Sequence, residues 1–250
     1  LLATAFETAA ANLRFRDRVE IFEVGKVFLP QPGEELPDEP RRLSIVMTGP
    51  RHSRHWLATA DEPDLYFFDL KGVVETLLAR LHVKGASYEP AEDSTFQTGR
   101  TACLAVNDAQ IGLLGEVHPA VRDAFNLPDR RLAAAELDLD ALLAQVPPVW
   151  FVDAISPYPA VLQDLAVVID EGVPAATVEA LIAQTGGFLL KDVELFDVYR
   201  GEPIPAGRKS LAYALTFQAP DKTLRDAIVA KQVKRIVKRL QHELGAEQRS

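Results

Sequence analysis

Between Leu224 and Leu244 the chain carries two opposed surfaces on one period. At about 100° per residue, Val229, Val233, Ile236, Val237, Leu240 and Leu244 fall on one side. Lys231, Lys234, Arg235, Lys238, Arg239 and His242 fall on the other. Such a segment is a helix that buries one stripe against a partner layer and leaves the other in solvent. Asp221 or Thr223 can cap its start, and Gly245 can end it. The residues before it supply the layer. Leu162–Asp170, Asp192–Arg200 and Ser210–Ala219 read as strands, and a short last strand begins near Glu247. A second helix, Ala175–Thr185, is closed by Gly186-Gly187. The order is β-α-β-β-α-β, the split β-α-β or ferredoxin-like arrangement, with both helices on one sheet face and the other face open.

The first half reads as α+β. An apolar helical stripe runs from Leu1 to Leu13, and Val19–Phe28 and Leu43–Met47 are strands on either side of a proline- and acid-rich loop. Phe67, Leu70, Val73, Val74, Leu77, Leu78 and Leu81 form a helix stripe. Thr101–Val106 and Ile111–Gly115 are strands joined through Asn107-Asp108, a hairpin signal. Leu132–Leu143 begins extended and ends helical. Adjacent prolines at Pro147-Pro148 stop helices and suit a linker, so two domains are expected, 1–147 and 148–250.

No apolar run reaches the roughly 18 residues of a membrane span. Cys103, the single cysteine, has no partner for a disulfide or a zinc cluster, which fits a reducing cytoplasm. The chain opens on Leu1 inside a helical pattern and is read as a piece of a longer protein. A formal charge of −9 argues against nonspecific nucleic-acid binding. The charge is unevenly placed: residues 1–150 hold 15 Lys+Arg against 23 Asp+Glu, whereas residues 151–250 hold 12 against 13.

Four ordered segments of the second half carry a resemblance: Ile155–Val161 with Asp164-Leu165-Ala166, Leu195–Gly201, Ile204–Ala212, and Thr223-Leu224. They are similar to the anticodon-binding domain of the bacterial phenylalanyl-tRNA synthetase β subunit. Phe22–Phe28, Phe67–Gly72 and Gly112–Pro119 resemble that subunit's catalytic-like module. The resemblance implies a class II synthetase-like antiparallel sheet module followed by a ferredoxin-like domain. It also implies a heterotetramer with an α subunit that holds the active site, and tRNA-Phe as the RNA partner, with no DNA and no membrane. No cofactor is expected in this fragment; ATP and magnesium belong to the holoenzyme.

Two departures bear on chemistry. An active class II module sets an Arg beside a Glu on a long strand to hold the ATP α-phosphate, where negative charge builds during transfer. Here that strand reads Ile21-Phe22-Glu23-Val24. The module is therefore expected to be inert by itself. The family often has Arg before the Asp-Leu-Ala of the first ferredoxin strand, where this chain has Gln163.

The expected RNA-binding residues are Phe196, Tyr199, Arg200, Lys209 and Ser210, which lie on or just before strands of the open sheet. Aromatic rings there would stack unpaired bases and Arg200 would hold a phosphate. The competing reading is a core Phe and a surface Tyr, and periodicity leaves it open because that strand is apolar on both phases. The basic helix face is either an RNA phosphate track or a solvated face. No metal site is expected at His52-Ser53-Arg54-His55, and a structural role is expected for Glu116 and His118. Two other functions stay on the table. An active class II ligase module would bind ATP, and a ferredoxin-like regulatory protein would bind a small effector and no RNA.

Overall fold

The computed structural model describes residues 1–52, 56, 63–150, 152 and 155–249. The chain divides into two compact units, Leu1–Phe151 and Val152–Ser250.

The first unit contains helices α1 (Leu2–Asn12), α2 (Phe67–Arg80), α3 (Pro119–Ala124) and α4 (Leu139–Ala144). Its strands are β1 (Val19–Lys26), β2 (Arg41–Thr48), β3 (Ala86–Pro90), β4 (Phe96–Val106), β5 (Ala109–Val117) and β6 (Leu132–Asp138). They form one antiparallel sheet in the order β1-β2-β6-β5-β4-β3. Both faces are covered. Leu70, Val74 and Leu78 of α2 and Leu142 of α4 pack on Leu43, Ile45 and Met47. Ala5, Phe6 and Ala9 of α1 pack on Val46 and Ala134 from the opposite side. Burial on both faces is why Leu43–Met47 reads as a nearly continuous apolar run and does not alternate. Asn107 and Asp108 both take positive φ, 47° and 68°, the backbone that a two-residue hairpin between right-twisted strands requires.

Two elements escaped the sequence pattern. β3 is a five-residue edge strand, mostly exposed, and α3 is a six-residue helix with no buried residue, so neither carries a periodic apolar signal. His118 caps α3: its Nδ1 accepts a hydrogen bond from the Ala120 amide at 3.1 Å. Glu116 is buried and accepts from Arg100 at 2.5 Å.

Asp138 closes β6 and opens α4. Its Oδ1 accepts from the Ala141 amide at 2.9 Å, and its Oδ2 pairs with Arg42. Burial pushes its pKa up, but the Ala141 amide and the Arg42 guanidinium outweigh burial and hold the carboxyl below its ordinary range. A depressed folded-state pKa contributes stability above the unfolded pKa and loses it as pH falls through the folded one. Asp138→Ala is therefore expected to cost about 1 kcal/mol at neutral pH, the usual worth of such a cap. In urea titrations the gap from the parent should close as pH falls below the ordinary aspartate range and through the lowered pKa of this carboxyl. A gap that persists below that pKa would assign the loss to packing instead.

The second unit contains β7 (Val161–Asp170), α5 (Ala175–Gly186), β8 (Leu190–Tyr199), β9 (Arg208–Phe217), α6 (Asp226–Leu244) and β10 (Glu247–Gln248). The antiparallel order is β10-β7-β9-β8, the ferredoxin-like arrangement expected from the pattern. Leu211, Tyr213, Leu215 and Phe217 of β9 are buried against α5 and α6, meeting Val178, Ile182, Ile236 and Leu240. The helices thus share one sheet face, and no helix covers the other, although Val168 and Ser210 are buried at one corner of it. Gly245 ends α6 in the left-handed region at φ 61°, and its amide bonds to Gln241. The start of α6 differs from the sequence expectation. The cap position is Arg225 and no side chain caps it, so Asp221 and Thr223 stay in the preceding loop.

Candidate nucleic-acid interface

Register assigns the residues of the bare face. Directly paired residues of antiparallel strands point to the same side. Val193 pairs with Leu215 and Leu195 with Tyr213, so both belong to the helix side. A β-bulge then intervenes. Phe196 is the extra residue between the Leu195–Tyr213 and Asp197–Ala212 pairs. Beyond it the phase is inverted: Val198 pairs with Leu211 on the helix side, while Asp197 and Tyr199 pair with Ala212 and Ser210 on the bare side. The bulge thus re-aims the end of β8. From β7, Ala166 and Val168 pair with Ala212 and Ser210. Ala166 and Ala212 are half-buried and make a low floor near the Tyr199 ring, whereas Ser210 and Val168 are buried at this corner.

Arg249 completes this corner. Its amide donates to the Ala166 carbonyl at 2.9 Å, and its guanidinium carbon lies 5.4 Å from the Tyr199 ring centroid. The Tyr199 hydroxyl donates to the Glu202 carbonyl at 2.6 Å, which holds the ring in place. A planar cation over an anchored ring, beside a floor of small side chains, is a site where an unstacked base can lie flat. Asp197, on the same face, offers two acceptor oxygens to the N–H groups of a base edge. The face carries acids at both ends, Asp197 and Glu247 among them near Tyr199. Asp164, Asp192 and Glu194 sit toward the far ends of their strands, and Arg249 sits at the Tyr199 end.

The five expected residues are distributed unevenly over this site. Tyr199 and Ser210 are paired on the side away from the helices, but only Tyr199 is exposed; Ser210 is buried and does not reach the surface. Phe196 is exposed at the bulge, and strand pairing does not assign its side. Arg200 is exposed, and its Nη2 donates to the Glu171 carboxylate at 2.7 Å. The pair holds the Glu171 carboxyl below its ordinary range. Lys209 pairs with Ile169 on the helix side and is buried, with its ammonium donating to the Glu171 carbonyl at 2.8 Å. Glu171 therefore engages both cations, one through its side chain and one through its backbone. Arg249 and Asp197 were missed by sequence reasoning. The signal that could have found Arg249 was the short strand at Glu247, which leads the chain back across the sheet. Gln163 pairs with Leu215, so the departure from the family pattern removes nothing from the bare face.

The basic side of α6 lies on the outside of the helix layer, opposite the bare face, because Val229, Ile236 and Leu240 are its buried residues. His52 is exposed, and the rest of its motif lies outside the described residues. No group of three His, Cys, Asp or Glu among the described residues is placed to hold a metal ion. In the first unit, Phe22, Val24, Val73 and Leu143 are exposed around an apolar trough of about 460 Å³. This trough runs along the edge strand β1. No helix of the described residues is long and apolar enough to cross a membrane.

Comparison with known proteins follows the same division. Residues 1–139 match the phenylalanyl tRNA synthetase beta chain CLM domain. Residues 156–249 match the ferredoxin-fold anticodon binding domain. The phenylalanine–tRNA ligase β subunit of Symbiobacterium thermophilum is 42% identical over 240 residues, 96% of this chain and 26% of that one. The β subunit of Moorella thermoacetica is 41% identical over 254 residues, covering 100% and 31% respectively. That of Clostridium acetobutylicum is 37% identical, covering 99% and 30%. The chain thus spans less than a third of the length of these relatives. Both halves and their order agree: the chain belongs to the phenylalanyl-tRNA synthetase β-chain family, here its CLM domain followed by a ferredoxin-fold anticodon binding domain.

Proposed function

We propose that this chain is a non-catalytic part of a phenylalanine–tRNA ligase that binds the anticodon stem-loop of tRNA-Phe on the bare face of its second unit. The observation that carries the reading is the Arg249–Tyr199 pair beside the small side chains of Ala212 and Ala166. At 5.4 Å the guanidinium already covers the ring, and a base needs about 3.5 Å on each side. A base therefore takes the place of Arg249 on the Tyr199 ring, the released guanidinium meets the RNA backbone, and the base edge meets Asp197. The binding energy positions the far end of the tRNA in the active site of a partner subunit, so the chain aids catalysis without touching the reacting atoms.

The first unit does no chemistry in this reading. Its sheet carries Arg42 and Arg100, and each is held by a carboxylate, Asp138 and Glu116, rather than left for a phosphate. The trough beside Phe22 and Val24 suits a catalytic α subunit, whose apolar surface would cover these side chains. ATP and magnesium would act in that subunit.

The test is a binding titration of the full chain with tRNA-Phe and with the same tRNA carrying a swapped anticodon. Tighter binding of the cognate form is expected, together with no saturable binding of ATP. Equal affinity for the two tRNAs would overturn anticodon recognition, and stoichiometric ATP binding would overturn the inert first unit.

A further inference from the structure

We propose that the basic side of α6 is a second RNA surface, separate from the bare sheet face, that takes the phosphate backbone of an RNA duplex. Lys231, Lys234, Arg235 and Lys238 are exposed on this side. None of them makes an ion pair or side-chain hydrogen bond with a described residue. In a chain with 36 acidic and 27 basic residues, several cations on or beside the strands are matched. Arg41, Arg42, Arg100, Arg200 and Arg208 each hold a carboxylate. On α6 the acids are Asp226, in the first turn, and Glu243, which is bound to Arg239 at 2.7 Å. The cations between them are left as a row.

The row has the dimensions of a backbone contact. Lys231 to Lys238 spans about 10 Å of helix axis at 1.5 Å per residue. An RNA duplex carries one phosphate per nucleotide on each strand, so several phosphates fall within that reach. No Phe, Tyr or Trp lies on this side of α6 to stack a base, and a duplex backbone needs none. The sheet and a helix diameter of about 10 Å separate the row from Tyr199. An RNA loop seated on the bare face does not reach it, so the two surfaces bind different RNA segments. The proposal does not rest on anticodon recognition.

The experiment uses the full chain and a 16-base-pair RNA duplex with blunt ends and no loop, titrated at several salt concentrations. The parent is expected to bind the duplex with an affinity that falls as salt rises. K231E/K234E/K238E should weaken that binding at least tenfold and lower the salt slope by about two to three. The neutral variant K231Q/K234Q/K238Q should lie between them. Y199A and R249A should leave duplex binding unchanged, while urea denaturation of the triple variants with the parent's midpoint shows that they are folded. No duplex binding by the parent, or equal binding by the triple variants, would overturn the proposal and leave this side a solvated helix face.

Discussion

Tyr199→Ala is expected to weaken binding of the anticodon stem-loop by about 1–3 kcal/mol, the usual worth of one stacked base. The loss should be largest for the cognate anticodon, because the ring seats a base and does not grip the backbone. Tyr199→Phe keeps the ring and removes only the hydrogen bond to the Glu202 carbonyl, so it should cost far less. Arg249→Ala should also weaken binding and lower the salt slope by about one, since the released guanidinium brings its charge to the RNA backbone. The two side chains form one site, so their effects should not add. The double variant is expected to lose less than the sum of the single losses. Arg200→Ala should matter less than Arg249→Ala, because Glu171 already holds the Arg200 guanidinium. Fluorescence titration of the stem-loop against the five variants decides the matter. Unchanged affinity in Tyr199→Ala would remove the base-stacking site.

Tyr213→Ala is expected to cost about 3–5 kcal/mol of stability in the second unit, the range for emptying a large buried aromatic site. Tyr213 is fully buried between the sheet and the helices, and its hydroxyl donates to the Ala175 carbonyl at 3.1 Å. Burial pushes its pKa up, so the hydroxyl stays a donor throughout the physiological range. Tyr213→Phe leaves the packing intact and removes one neutral hydrogen bond, so a loss of about 1 kcal/mol is expected. The two substitutions also separate folding from binding. Tyr213 sits between Ala212 and Ala214, whose side chains face the other way. Tyr213→Phe should therefore leave stem-loop affinity unchanged, while Tyr213→Ala should lower it only to the extent that the unit unfolds. Urea denaturation gives the stability, and a loss under 1 kcal/mol for Tyr213→Ala would show that the helices repack over the space.

Much of the architecture was legible in residue order. The alternation Leu211, Tyr213, Leu215 and Phe217 assigns the buried side of β9, because a half-buried strand has a period of two and each partner on that side meets a helix. The opposed stripes of α6 assign its inward face for the corresponding reason at a period of 3.6. In the first unit, the Asn-Asp turn between β4 and β5 was visible because few residues accept positive φ. The family was also legible, since several ordered segments across both halves carry it.

What sequence could not decide was which side of β8 meets the open surface. Val193 and Leu195 face the helices on odd positions, and Val198 faces them on an even one. A single extra residue at Phe196 makes the change, and no local pattern distinguishes it from an ordinary strand residue. Only pairing with β9 shows where the ladder skips. The same holds for charge. Arg200, Lys209 and Arg249 look alike as cations near the sheet. Glu171, a loop residue 29 positions before Arg200, neutralises the first. Its carbonyl oxygen engages the second. Arg249 is carried across the sheet by the β10 pairing and reaches Tyr199, 50 positions earlier in the chain. Side-chain type and period are local properties and can be read along the chain. Strand register and the choice of ion partner depend on groups that are distant in sequence and meet only when the sheet closes.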